Sequence, residues 1–388
     1  MAGSEEVFVT SSALPSLDPA RLMVEVQRQY GVGIGRQTFD MIRLKRRRTA
    51  LTPYEYFYYG LYDPKRSWLE RDAYVGQRRA QSVYLLANHF TWWNAAEDKL
   101  AFHAAMQAQG YPTPTLLALA HSERRFGGVA NLRTRAELVD WLRTAPTPLF
   151  GKPVIASHGQ GGVMIQAIDG KAGTFVTDAG RSYRLEVLAA AAQRYVDGDG
   201  YVFQEALRPC AEVARLTDGR LATLRIVLLL DRAGPAVFQI IARLPSGENR
   251  VDNFRRPGNL ICSVDPETGA VGPVVRGVGL ERETLDAHPD TGVAFAGLRL
   301  PLVREAMDLA RRAGSGFPGL HVQSWDIALC DDGVRALEMN PGGNLNLLQL
   351  SLDRGVWTPE FQEFVRWCAG LELNTQVRGR DVAMKLAA

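Results

Sequence analysis

The stretch from Val322 to Pro341 constrains this chain more than any other. Strand-forming, largely apolar residues run from Val322 to Cys330, Asp331-Asp332-Gly333 supplies a turn, and the strand pattern resumes from Val334 to Asn340. That arrangement predicts a β-hairpin. A three-residue loop, with Gly333 in the left-handed conformation, pairs Cys330 with Val334. Counting back sets Asp326 opposite Glu338 and Ser324 opposite Asn340. Side chains alternate faces along a strand, so Asp326, Glu338 and Asn340 are expected on one face. A two-residue loop would send the carboxylates to opposite faces, against the burial of one face of the sheet. Adjacent carboxylates repel unless water or a cation compensates. Their oxygens, with the amide of Asn340, suit Mg²⁺ carrying substrate phosphates. The alternative is an exposed hairpin whose polar face meets water.

The rest of the composition narrows the class. At 388 residues, 46% hydrophobic and 22% charged, the chain is expected to be soluble and globular, with two or three lobes. A net charge of +3 gives no reason to expect nucleic acid, and Lys45-Arg46-Arg47-Arg48 reads as a solvated face. Met1–Glu6 lacks a basic stretch followed by an apolar core, so no signal peptide is expected. The apolar run Ile226–Leu230 is too short to span a bilayer. Cys210, Cys262, Cys330 and Cys368 show no CxxC spacing and read as reduced thiols of a cytoplasmic protein. The six histidines form no HxxxH or HxH pair, so no zinc site is expected.

Residues 1 to about 80 carry a helical pattern rich in Arg and Tyr. Gly31-Val32-Gly33-Ile34-Gly35 follows a helix, not a strand, and is rejected as a dinucleotide loop. A helix is expected from Asn94 to near Gly110, and Thr134 with Glu137 form a capping box for the next. Strand signals dominate from Thr147 to about Leu244, with a further strand at Leu260–Val264. Helices return at Leu302–Ala313, capped by Gly314, and after Thr358-Pro359. Segregated strand and helix runs indicate an α+β fold.

Three further stretches can hold an anion. The loop Ala156-Ser157-His158-Gly159-Gln160-Gly161-Gly162 lies between apolar strands and can bring backbone N–H groups against phosphate oxygens. Lys152 stands in the strand leading into it and wants an anion, unless it snorkels to the surface. At the end of Tyr201–Leu207, Gln204, Glu205 and Leu207 offer polar and backbone groups to a base, and Glu205 or Glu212 can accept a ribose hydroxyl. Arg225 interrupts an apolar strand, where a buried guanidinium requires a carboxylate or phosphate partner.

Taken in order, a lysine, a second lysine with a Gly-rich flap, a hinge, a strand arginine and Asp…Glu-x-Asn resemble the ATP-grasp superfamily. Val251-Asp252-Asn253-Phe254, Asp265–Gly269, His288–Gly292, Ser324–Ala328 and Leu337–Pro341 look like its sugar-transfer-associated, or glutamate-ligase-related, branch. The resemblance covers roughly residues 85–370. It implies an ATP-grasp fold of two α+β lobes, at 85–203 and 204–388, behind a helical segment at 1–84. Lys99 and Lys152 would then contact ATP phosphates under Gly161 and Gly162, with Ser157 and His158 in the flap. Gln204 to Leu207 would line the adenine, and Asp326, Glu338 and Asn340 would hold two Mg²⁺. Where branch members often carry a histidine after the hinge glutamate, this chain has Pro209-Cys210-Ala211. The implied activity is ATP-dependent carboxylate–amine ligation through an acyl phosphate, with Lys152 and Arg225 as catalytic cations. Asp252, Asn253, Arg255, Arg256 and Asn344 are candidate substrate contacts. The alternatives are a phosphotransferase acting on a hydroxyl or sugar and a non-catalytic nucleotide-binding protein. Small-molecule or peptide carboxylates and amines are the expected partners, and a homodimer is left open.

Overall fold

In the computed structural model, residues 7–8, 18–47, 50–156 and 159–374 are described. Helices come first: α1 (Pro19–Tyr30), α2 (Ile34–Arg46), α3 (Pro53–Tyr58), α4 (Trp68–Asp72) and α5 (Gln77–Ala87). Capping boxes start α3 at Thr52 and α4 at Ser67, where a side-chain oxygen and a glutamate satisfy first-turn N–H groups. The single expected helix from Asn94 is two, α6 (Trp93–Glu97) and α7 (Lys99–Ala108). Asp98 breaks it: its backbone is extended, and its carboxylate accepts from the N–H groups of Leu100 and Ala101.

The first sheet contains β1 (Leu116–Ala120), β2 (Ala130–Leu132), β3 (Leu149–Pro153), β4 (Val163–Asp169), β5 (Thr174–Thr177), β6 (Ser182–Arg184) and β7 (Tyr201–Glu205). Their order is β2-β1-β7-β3-β4-β5-β6, with β1–β2 parallel and the other pairs antiparallel. Helices α8 (Arg135–Leu142) and α9 (Leu185–Val196) cover the face that carries Tyr201 and Phe203. Only half of the expected capping box forms at α8: Thr134 accepts from Glu137, but the Glu137 carboxylate takes the N–H of Arg133.

After α10 (Ala211–Thr217) comes the second sheet: β8 (Thr223–Asp231), β9 (Gly234–Leu244), β10 (Leu260–Val264), β11 (Val274–Arg276), β12 (Glu283–Leu285), β13 (Val322–Cys330) and β14 (Gly333–Asn340). Its order is β12-β11-β10-β9-β8-β13-β14, antiparallel throughout. Alternation assigns its two faces. Leu224, Ile226, Trp325 and Ile327 pack on one side with α10 and α11 (Val303–Gly314). Val227, Ile241, Ile261 and Val322 pack on the other with α3, α5, α12 (Leu345–Leu352) and α13 (Pro359–Ala369). That second face also carries the hairpin's polar residues. The four cysteines are free and buried. Among the described residues, no helix is long and apolar enough to cross a membrane.

Candidate functional site

In the β13–β14 hairpin, Asp326 pairs with Glu338 and Ser324 with Asn340, but the route to that register differs from the expected one. Cys330 pairs with Gly333, not Val334, so the loop is the two-residue Asp331-Asp332. Gly333 has φ of +114°, a conformation open to glycine. The compensating residue is Leu337, bulged between Ala336, opposite Ile327, and Glu338, opposite Asp326. A bulge inserts one residue and so shifts the facing of every later residue in the strand. It returns Glu338 to the face of Asp326.

Asp326 is nearly sealed off, at 3% exposure. Arg225, directly across on β8, donates from Nε to Oδ1 and from Nη2 to Oδ2, each at 2.7 Å. This carboxylate is the partner that a buried strand arginine requires. Arg243 on β9 adds a contact to Oδ2 at 2.9 Å and bonds the Thr223 hydroxyl, which in turn donates to Asp252. Burial pushes the Asp326 carboxyl up, but the two guanidinium groups outweigh it and hold it well below the usual carboxylate range. The same pairing overcomes burial to raise Arg225. Glu338 and Asn340 are half-buried, and Asn340 Nδ2 lies 3.4 Å from Glu338 Oε1. Beside them, the buried Ser324 hydroxyl has no hydrogen-bond partner.

Two carboxylates and an amide oxygen form a hard-oxygen set that fits Mg²⁺. Asp326 already shares its oxygens with two arginines, so Glu338 and Asn340 are the more available donors.

Lys99 and Lys152 meet across the cleft. The break at Asp98, braced by Arg124 at 3.1 Å, places Lys99 at the start of α7. Its ammonium donates to the carbonyls of Val154 at 3.3 Å and Ala156 at 3.0 Å. Lys152 lies beside Val202 in the β3–β7 pairing. Both line a cleft with His103, Gln204 and Leu337. Burial, then the charge of Lys99, lowers Lys152 to about 8, while Glu338 opposes the shift. A lysine so placed gains most from an incoming anion.

Around this cleft, the other expected residues divide. Gly161 has φ of +73°, and a Cβ there would lie 2.5 Å from the Tyr195 hydroxyl and 2.7 Å from Pro153. Its carbonyl accepts from Tyr201 at 2.8 Å. Gly162 abuts the Phe150 ring, which a Cβ would meet at 3.1 Å. Packing thus demands these glycines locally. Ser157 and His158 lie outside the described residues. Gln204 is buried in the cleft wall, whereas Glu205 accepts from the Thr115 N–H at 2.8 Å and ties β7 to the start of β1. Leu207 is half-buried and Glu212 is exposed on α10.

Among the expected substrate contacts, Asp252 joins the Arg243–Asp326 network, 3.6 Å from Arg243. Asn253 bends its own turn by accepting from the Arg255 N–H at 3.0 Å. Arg255 is exposed, and its charge reaches Tyr54 and Tyr58 of α3. Arg256 is half-buried, and Asn344 is exposed at the N-cap of α12 with φ of +43°. Asp290, from the His288–Gly292 motif, pairs with Arg220 and accepts from the Gly247 N–H at 2.9 Å. His288 Nε2 lies 3.1 Å from the Pro245 carbonyl. That motif braces the 247–259 loop from behind.

Three site residues went unread in the sequence: Arg243, His103 and Leu337. Arg243 follows Ile240-Ile241-Ala242, the same cation-in-an-apolar-strand signal that singles out Arg225. His103 and Leu337 leave no such mark, because their positions depend on the helix break and the bulge.

A family model described as sugar-transfer associated ATP-grasp matches residues 78–363. No curated protein matches the sequence. Similar solved structures include the L-amino acid ligase from Bacillus licheniformis, at 14% identity and TM-score 0.37, covering 74% of this chain and 53% of that one. N5-carboxyaminoimidazole synthase from Aspergillus clavatus, in complex with ADP and 5-aminoimidazole ribonucleotide, has 11% identity and TM-score 0.37, over 72% of this chain and 58% of that one. Biotin carboxylase from Campylobacter jejuni has 10% identity and TM-score 0.44, over 73% and 48%. The chain spans about half the length of these structures. At such scores the likeness is too distant to transfer chemistry.

Proposed function

This chain belongs to the sugar-transfer associated ATP-grasp family, and from that premise we propose that it is an Mg²⁺- and ATP-dependent ligase joining a carboxylate to an amine. The observation that carries this reading is the cleft itself. Lys99 and Lys152 line it with Leu337, which directly precedes Glu338 of the Asp326–Glu338–Asn340 face. Two lysines in a cleft, with a hard oxygen donor, Glu338, near enough for its charge to act on Lys152, suit a nucleoside triphosphate.

Magnesium held by Glu338 and Asn340, with Asp326 sharing its oxygens, would neutralise phosphate charge. The chain's own groups do the positioning. Lys99 and Lys152 hold the phosphates, and Gly161 and Gly162 let backbone approach them. A substrate carboxylate oxygen attacks the γ-phosphorus, and the bond to the ADP oxygen breaks. The amine then attacks the acyl-phosphate carbon, inorganic phosphate leaves, and the amine surrenders a proton. Arg225 and Arg243 supply fixed positive charge beside this centre. No enzyme nucleophile is needed.

Incubation with ATP, Mg²⁺ and pooled amino acids should release ADP and phosphate and yield a condensed product one water lighter than its parts. AMP with pyrophosphate, or no turnover with any carboxylate, would contradict the ligase. The alternative keeps the same nucleotide site and transfers phosphate to a hydroxyl or sugar, and a product heavier by one phosphate would identify it.

A further inference from the structure

His103 lies four residues after Lys99 on α7, on the same helix face, and lines the same cleft. It is 5% exposed. Its Nδ1 lies 3.1 Å from the Thr113 hydroxyl, while its Nε2 is buried with no hydrogen-bond partner. A buried polar atom without a partner is costly, so one left open in a ligand cleft points to the ligand. Burial, then the charge of Lys152, lowers the imidazole to about 4. At neutral pH it therefore offers one N–H and one lone pair. The charge of Lys152 acts on this imidazole, and the tautomer with its proton on Nδ1 leaves Nε2 bare. Nδ1–H then donates to Thr113, and Nε2 is an acceptor.

We propose that His103 Nε2 accepts a hydrogen bond from the exocyclic amine of a 6-aminopurine nucleotide, and so discriminates ATP from 6-oxopurine triphosphates. This rests on the nucleotide reading of the cleft. Gln204, at the end of β7, lines the same cleft and would flank the base. A 6-oxo group would set its lone pairs against that of Nε2, leaving both unpaired, the kind of mismatch that polar sites reject strongly.

Calorimetric titration of the full chain with Mg–ATP and Mg–ITP tests this. The wild type should bind ATP about tenfold more tightly than ITP, the size of one lost hydrogen bond. His103→Leu should bring the ratio near one, chiefly by weakening ATP. Thr113→Val, which frees Nδ1 and permits either tautomer, should narrow the ratio while keeping the imidazole. Equal loss of both nucleotides in His103→Leu, or an unchanged ratio, overturns the proposal and indicates a packing role. If His103→Leu does not fold, an unchanged ratio in Thr113→Val overturns it instead. A wild type that binds both nucleotides equally refutes His103 alone; one that binds neither refutes the nucleotide reading and this inference with it.

Discussion

Asp326 and Glu338 face each other across two strands, yet their surroundings assign them different work. Asp326 sits between Arg225 and Arg243 at 2.7 and 2.9 Å. Removing it leaves two buried guanidinium groups without their carboxylate, which typically costs about 3–5 kcal/mol. Asp326→Ala should therefore lower the unfolding free energy in urea by that amount. Glu338→Gln should change it by less than about 1 kcal/mol. The Asp326 carboxyl titrates below its ordinary range when folded, so its contribution is full above the unfolded pKa of about 3.9 and is lost as pH falls below it. Acid melts of the wild type should steepen there, and those of Asp326→Asn should not. Lys152 acts in the opposite pH range. With its ammonium lowered to about 8, the free protein sheds that charge as pH rises through 8, while bound phosphates would restore it. Nucleotide affinity should fall between pH 8 and 10, with proton uptake on binding. Titrations in two buffers of different ionisation enthalpy measure this, and affinity constant over that range would exclude Lys152 as a phosphate ligand.

At the scale of elements, two irregularities place the groups that matter. The Leu337 bulge sets the facing of Glu338, and the Asp98 break sets Lys99 at a helix start. Inserting one alanine between Leu337 and Glu338 should set Glu338 opposite Trp325, on the other face, and abolish Mg²⁺-dependent nucleotide binding, while the Asp326–Arg225 pair keeps the fold. Retained binding would show that the facing of Glu338 has no functional part. The same irregularities mark how far the sequence can be read. Asp326 opposite Glu338 was legible, because burial of one sheet face demands that facing whatever the loop length. The loop was not: a two-residue turn plus a bulge and a three-residue turn give the same facing, and periodicity cannot separate them. Helix periodicity likewise runs through Asn94–Ala108 without registering that Asp98 can cap as well as continue. Arg225 was legible from its apolar strand, while its partner Asp326 required the β8–β13 pairing, a contact 101 residues apart.

Across the whole molecule, the helical segment at the start is part of the second sheet's core. Tyr56, Phe57, Tyr62 and Tyr74 pack in one cluster with Val227, Ile241, Ile261 and Val275. Burying each such side chain contributes about 1.5–3 kcal/mol, so four of them rival the roughly 5–15 kcal/mol that holds a domain folded. A chain beginning at residue 85 should be insoluble or lack a cooperative melt; a soluble, cooperatively folding product would contradict this packing role. The helices also close the face whose far end carries Asp326, Glu338 and Asn340. The two lysines line one cleft, and the charge of Glu338 acts on Lys152; the most direct test of a shared purpose is calorimetric titration with a non-hydrolysable ATP analogue, with and without Mg²⁺, for the wild type and Glu338→Gln. Wild-type binding should be at least tenfold tighter with Mg²⁺, and Glu338→Gln should lose that gain while melting normally. Equal affinity in all four conditions, or no binding in any, would contradict a magnesium–nucleotide site in this cleft.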